Sequence, residues 1–265
     1  MKTLLALLLL AASSFSWAHT SIVYNLTDDN VVYQEEMDKN RSMASLTKLM
    51  TALLIVDSNL DLDEAVKYRG GIFTTRKVSR MELLESLLIR SDNAAAEALA
   101  RSWPGGRDVF IQEMNTRAKQ LGMLSTTYRD PSGIDSGNIS TARDLVKIIN
   151  ACGKHQLIRY ISSTKYLTLE RKYKKRIKTV EISNTNKLLF EFDEIILSKT
   201  GTTSAAGRCL ALMVDKGGKQ YAIVILGEKT IRDREQKARQ LIFNYAIMDE
   251  TGKDSNENRF HGFNI

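Results

Sequence analysis

From Met81 to Asn150 the sequence reads almost entirely as helix, and on both sides of that block it reads as strand. This order leaves few folds open. Strands from the two chain ends must close into one antiparallel sheet, with the helices inserted between them. Leu83, Leu84, Leu87 and Leu88 recur at helical spacing within Met81–Ile89 and give that helix one buried face. Ser91-Asp92-Asn93 ends it, Ala94–Ala100 begins a small-residue helix, Pro104-Gly105-Gly106 stops that one, and Asp108–Leu121 is helical again. Ser140 or Thr141 caps a further helix that runs to about Asn150. On the N-terminal side, Ser21–Asn25 and Val31–Tyr33 flank Asp28-Asp29-Asn30 as a hairpin. On the C-terminal side come three strand-like pieces, Glu194–Thr200, Cys209–Val214 and Tyr221–Leu226. Lys216-Gly217-Gly218-Lys219 joins the last two as a turn, and Asp233–Ile247 reads as a closing helix.

Composition narrows the chemistry. Lysine and arginine number 38 against 31 acidic residues, a formal charge of +7. No nucleic-acid motif accompanies this excess, so it reads as a solvated basic face, densest at Arg171–Lys178, whose tyrosine and isoleucine interruptions suit an exposed hairpin. The two cysteines, Cys152 and Cys209, form no C-x-x-C, and no H-E-x-x-H is present. We therefore expect no metal and no cofactor. Residues 1–18 read as a cleavable export signal: Lys2, the apolar core Leu4–Ala12, and Ser16-Trp17-Ala18 before the cut. That core is too short for a stable membrane anchor, and no cysteine at the cut points to lipidation. The expected organisation is thus a signal at 1–18, one catalytic domain over 19–248 with its helical insertion at about 66–155, and a polar tail over 249–265. The compartment permits disulfides, but Cys209 falls in a strand where a buried free thiol is reasonable, and no pairing is expected.

Within this frame one short stretch carries reactive chemistry. Ser45-Leu46-Thr47-Lys48 opens the apolar run Leu49–Val56, so serine and lysine share a face at the start of a buried helix. The amine lies within reach of the hydroxyl proton, and the free N–H groups of the helix start favour negative charge on the serine oxygen. Histidine is scarce: His19 and His261 lie near the ends and His155 sits in a loop, so the base for Ser45 is Lys48. Two further elements follow in order, Ser91-Asp92-Asn93 at an interhelix corner and Lys199-Thr200-Gly201 on a strand. Each has an ordinary structural reading, as a helix cap or a strand end. The order S-x-x-K, S-x-N, K-T-G in these contexts is the signature of penicillin-interacting serine enzymes.

With these motifs the chain resembles the serine-type D-Ala-D-Ala peptidase family, the low-molecular-mass penicillin-binding proteins, over roughly Ile22 to Ile247. Asp130-Pro131-Ser132-Gly133, Ser140-Thr141-Ala142-Arg143-Asp144-Leu145, Asn184-Thr185-Asn186 and the extension of Lys199-Thr200-Gly201 through Gly207 also carry the likeness. Within the family it looks most like the short D-alanyl-D-alanine endopeptidases, which lack an added C-terminal β-domain and anchor. A trimmed, glycine-interrupted stretch from Asp61 to Lys77 departs from the pattern and bears on one cleft wall. The resemblance implies an α/β (α+β) fold with a five-stranded antiparallel sheet flanked by helices and an all-helical subdomain. It implies Ser45 as nucleophile, Lys48 as base with its pKa lowered by burial and by Lys199, and Ser91 relaying a proton to the leaving amine. Asn93 would position Lys48 and the substrate amide, Lys199, Thr200 and Gly201 would line the substrate edge, and the amides of Ser45 and Thr202 would hold the oxyanion. Peptidoglycan peptide stems are the implied substrate and β-lactam antibiotics the implied covalent inhibitors. The site leaves endopeptidase and D-Ala carboxypeptidase both open. A β-lactamase would need a glutamate-held water, and no E-x-x-L-N-type segment lies between Asn93 and Lys199. A non-catalytic wall-binding protein would not need every reactive side chain present.

Overall fold

The structure, a computed structural model, describes residues 19–73, 77–173 and 176–247; the expected signal and the polar tail lie outside the described residues. The chain begins with β1 (Thr20–Asn25), β2 (Asn30–Glu35) and the short β3 (Arg41–Ser42), then a tight turn at Ala44–Thr47 leads into α1 (Lys48–Asp57). A small hairpin, β4 (Ala65–Lys67) and β5 (Lys77–Ser79), precedes α2 (Arg80–Ile89), α3 (Asn93–Arg101) and α4 (Gly106–Gln120). After a long connection come β6 (Ile139–Ser140), α5 (Ala142–Gly153) and α6 (Gln156–Ser163). The hairpin β7 (Tyr166–Tyr173) and β8 (Arg176–Ser183) follows, then a turn at Lys187–Phe190 and β9 (Ile195–Thr203), β10 (Gly207–Lys216) and β11 (Lys219–Glu228). The chain closes with α7 (Ile231–Leu241) and a wider π turn at Ile242–Ile247.

Five strands form the main sheet in the order β2-β1-β11-β10-β9, antiparallel throughout. The first strand pairs with the last, Thr20 opposite Leu226, so the two chain ends do meet in one sheet. Strand periodicity decides which helices each face receives. Leu210, Leu212, Val214, Ile223 and Ile225 turn toward Ala238, Leu241 and Ile242 of the C-terminal helix. Ala211, Met213, Ala222, Val224 and Leu226 turn the other way, into the larger core with Leu49, Leu53, Leu145 and Ile149. α5 reaches the sheet through Gly153, where a Cβ would lie 2.2 Å from Met213 Cε. α1 is buried on nearly every side, eight of its ten residues, which explains why its apolar run shows no polar face.

Capping side chains start α2, α3 and α5. Ser79 and Glu82 form a reciprocal capping box at α2, Asp92 caps α3 by accepting from the amides of Ala94 and Ala95, and Thr141 caps α5. Three expectations need correction. The block from Met81 to Asn150 is not continuous helix, because residues 121–141 fold as a hydrogen-bonded loop around Asp130 and Asn138. α6 was not foreseen, its eight residues being short for a periodic signal. The expected closing helix breaks at Ile242 into the π turn. The basic stretch after Tyr166 does form a hairpin, Tyr173 opposite Arg176. Cys152 and Cys209 are both buried free thiols, and no described helix is long and apolar enough to cross a membrane.

Candidate active site

Ser45 lies in a 3₁₀ turn, not in the first turn of an α-helix. The difference matters, because in a 3₁₀ turn side chains three residues apart eclipse one another. Lys48 Nζ consequently stands 2.9 Å from Ser45 Oγ. The same ammonium group donates to Asn93 Oδ1 at 2.7 Å and to the Ser132 carbonyl at 2.6 Å. Lys48 is fully enclosed while Ser45 is half-buried, so the base is shielded and the hydroxyl stays reachable from outside.

Two residues beside the motifs hold unusual backbone. Ala44 has φ +48° and Ser91 φ +63°, both in the left-handed region that non-glycine residues rarely enter. At Ala44 the surroundings enforce it. Gly133 packs so closely that a Cβ there would lie 1.9 Å from the Ala44 carbonyl oxygen. On the other side β9 passes at Gly201, where a Cβ would lie 3.1 Å from both the Ser45 nitrogen and the Met43 oxygen. Glycine at both positions lets a loop and a strand clamp the Ser45 turn between them. Gly133→Ala combines a backbone penalty of about 1–2 kcal/mol for a side chain at positive φ with overpacking of about 1–3 kcal/mol. We expect it to destabilise the fold by roughly 2–5 kcal/mol, measured by denaturant unfolding, and to slow acylation of whatever protein remains folded.

The loop that supplies Ser132 is organised by two buried side chains. Asp130 accepts from the amides of Ser132, Gly133 and Asp135 and from the Ser132 hydroxyl. Burial alone would raise the Asp130 pKa, but the Asp135 amide, the Ser132 hydroxyl and the Ser132 and Gly133 amides together hold it below the usual carboxylate range. Asn138 ties the loop to the nucleophile turn by donating to Thr47 Oγ1 at 3.0 Å and to the Asp130 carbonyl at 3.0 Å. Thr51 Oγ1 donates to the Pro131 carbonyl at 2.6 Å. Asp92, the cap of α3, accepts from the buried Tyr68 hydroxyl at 2.7 Å, and this fixes the corner that presents Asn93. In the sequence, Asp130-Pro131-Ser132-Gly133 stands only as a mark of the family resemblance. Nothing there gives Asn138 or Tyr68 a part.

Burial pushes the Lys48 amine down to about 7, while the Asp130 and Asp92 carboxylates pull it the other way. Lys48 and Lys199 are both buried cations, and the repulsion between them disfavours the charged form of the pair. Lys199 is likewise fully enclosed, and its amine donates to the Thr200 carbonyl at 2.8 Å. Burial first, then the Lys48 charge and the Arg234 guanidinium, push Lys199 itself well below the usual lysine range. Arg234, on α7 and almost wholly buried, is a further cation that the sequence reading passed over.

The remaining residues take these positions. Thr200 Oγ1 lies 2.7 Å from Thr185 Oγ1, joining the Lys-Thr-Gly strand to Asn184-Thr185-Asn186. The Thr185 amide donates to the Ile89 carbonyl at the end of α2, beside the Ser91 corner. Thr202 is exposed on β9, one residue past the glycine that touches Ser45. Ser91 is half-buried at the α2–α3 corner, and among the described residues its hydroxyl makes no hydrogen bond to Ser45 or Lys48. His155 meets Asp57 at 2.9 Å, at the far end of α1, roughly 14 Å of helix from Lys48. It has no part in this cluster.

Comparison with known proteins follows the same lines. A family model described as D-alanyl-D-alanine carboxypeptidase matches residues 11–230. The chain is 35% identical over 219 residues to a D-alanyl-D-alanine endopeptidase of Escherichia coli K12, covering 78% of this chain and 70% of that protein. Among solved structures it is similar to the Streptomyces K15 DD-transpeptidase, with a TM-score of 0.79 and 31% identity over 84% of this chain and 94% of that one. It is also similar to penicillin-binding protein D2 of Listeria monocytogenes in its cefotaxime-bound form, with a TM-score of 0.76 and 28% identity over 85% and 96%.

Proposed function

The chain belongs to the D-alanyl-D-alanine carboxypeptidase family of serine peptidases, and we propose that it is a D-alanyl-D-alanine endopeptidase cutting peptide cross-links in peptidoglycan through an acyl-enzyme. The observation that carries the reaction is the 2.9 Å contact between Lys48 Nζ and Ser45 Oγ at the foot of the Lys-Thr-Gly strand. With the amine neutral, Lys48 keeps two N–H groups for Asn93 Oδ1 and the Ser132 carbonyl, and its lone pair points at the Ser45 hydroxyl. Ser45 Oγ then attacks the carbonyl carbon of the D-Ala bond as its proton passes to Lys48. The amides of Ser45 and Thr202 hold the oxyanion, a donor of this kind being worth about 2.7–4 kcal/mol. On collapse the C–N bond breaks and the leaving amine takes a proton, from Lys48 by way of the Ser91 hydroxyl. Water then hydrolyses the Ser45 ester. Asn93 holds the amine of Lys48, and Lys199, Thr200 and Gly201 line the edge along which the substrate lies.

β-Lactam antibiotics acylate the same hydroxyl in this scheme, in keeping with the cefotaxime-bound relative. The leader over residues 1–18 supports a periplasmic address. The endopeptidase choice rests on the E. coli, Pseudomonas and Haemophilus relatives, all named D-alanyl-D-alanine endopeptidase. The test is direct. Incubating the protein with purified cross-linked muropeptide dimers should yield monomers by mass spectrometry. Loss of only a terminal D-alanine would assign it to the carboxypeptidases instead.

A further inference from the structure

Phe190 and Tyr166 are 39% and 58% exposed, and their rings stand 5.1 Å apart between centroids, tilted by 53°. Two exposed aromatic rings packed against one another are unusual on a protein surface unless something covers them. Two ammonium groups reach the same ring: Lys187 Nζ lies 5.5 Å from the Phe190 centroid and Lys165 Nζ 5.8 Å. Lys165 also pairs with Asp193 at 3.1 Å, so the patch carries a modest positive charge.

Its place in the fold gives the patch meaning. Tyr166 is the strand partner of Ser183, and the Asn184 amide donates to the Lys165 carbonyl at 2.9 Å. Lys187 and Phe190 lie just beyond Asn186 on the other side. The patch is therefore built on both flanks of Asn184-Thr185-Asn186, whose Thr185 hydroxyl touches Thr200 of the Lys-Thr-Gly strand. Five residues of chain, at most roughly 18 Å, separate Phe190 from that contact. The hairpin that begins at Tyr166 also carries the basic run Arg171–Lys178 in its sequence.

Resting on the function proposed above, we propose that Tyr166, Phe190, Lys165 and Lys187 form a platform for the glycan strand of the polymer whose peptides enter the cleft. A pyranose ring has one face made of C–H groups that packs on an aromatic ring, and two adjacent rings accept two consecutive sugars. The ammonium groups answer the carboxylates of the peptide stems, and those of the lactyl groups from which a stem has been removed. A second copy of the chain is the poorer occupant. A specific interface buries about 800 Å² per partner, whereas one aromatic side chain covers only about 150–250 Å².

The test compares the wild type with Tyr166→Ala/Phe190→Ala and with Lys187→Glu. Acylation by a fluorescent penicillin reports whether the cleft is intact, and should be unchanged in all three. Co-sedimentation with insoluble sacculi, and with peptide-free glycan strands released from them by an amidase and coupled to beads, should weaken about tenfold in the double variant and several-fold in Lys187→Glu. Turnover of soluble dimers whose glycan has been removed should not change. Equal sedimentation of wild type and double variant with both glycan probes would overturn the platform. So would a wild-type dimer, seen by light scattering, that dissociates in the double variant. Failure of the wild type to cleave cross-links would instead count against the endopeptidase assignment and leave the sedimentation comparison intact.

Discussion

Ser45→Ala leaves no covalent adduct with a fluorescent penicillin and no measurable release of monomers from cross-linked muropeptides. The attacking atom is removed, and nothing near it can take over. Thr47 donates its hydroxyl to the Ala44 carbonyl at 2.8 Å while accepting from Asn138, and is buried. Loss of the nucleophile in a Ser-His-Asp protease costs roughly 10⁶-fold in turnover, and a loss of that order is expected here. The fold should hold, because Ser45 is half-buried and the hydrogen bond its hydroxyl makes is with the Lys48 amine. An unchanged unfolding midpoint beside absent labelling is the expected pair of results. Residual labelling at another residue would mean that the turn at Ala44–Thr47 is not where the acyl group sits.

Lys48→Met should be almost as damaging to rate and more damaging to structure. Loss of the base alone lowers acylation by about 10²–10⁴-fold. The substitution also leaves the buried Ser132 carbonyl without its donor, worth roughly 1–3 kcal/mol, while Asn93 Oδ1, on an exposed residue, can turn to water. Wild type and variant differ most clearly in their dependence on pH. Lys48 must be neutral to accept the Ser45 proton, and its pKa is lowered by burial to about 7. Below that pH the protonated form dominates and acylation should fall about tenfold per pH unit; above it the rate should level off. The profile of stopped-flow acylation by penicillin should thus bend near neutrality in the wild type and flatten in Lys48→Met. A wild-type profile that bends only above pH 9 would show that Lys48 stays charged and is not the base.

The motifs could be read before the fold because each had a local cause. A serine and a lysine three apart at the head of an apolar run, an Asx cap between two helices, and a lysine in a β-rich stretch are visible in single windows of sequence. The five-stranded sheet was equally legible, since its strands are separated by strong turn signals such as Gly217-Gly218. What stayed hidden was made by distance. Asn138 acts on Thr47, Tyr68 on Asp92 and Ser132 on Lys48, and none of these pairs leaves a pattern that a window can hold. The loop over 121–141 had no periodicity to betray that its order comes from Asp130 collecting backbone amides. Degree of enclosure is likewise a property of the whole packed molecule, and it lowers both Lys48 and Lys199.

The pairing of β1 with β11 has a temporal side. Ser45 and Lys48 are made early, the Lys-Thr-Gly strand late, and the sheet that brings them together includes both the first and last strands of the chain. Contacts of such long sequence separation form slowly, because the loop between them must be closed before any of them is rewarded. A chain still emerging thus has its serine and lysine and no reactive centre. The topology itself acts as a delay, keeping a bond-cutting hydroxyl inert until the last strand has docked.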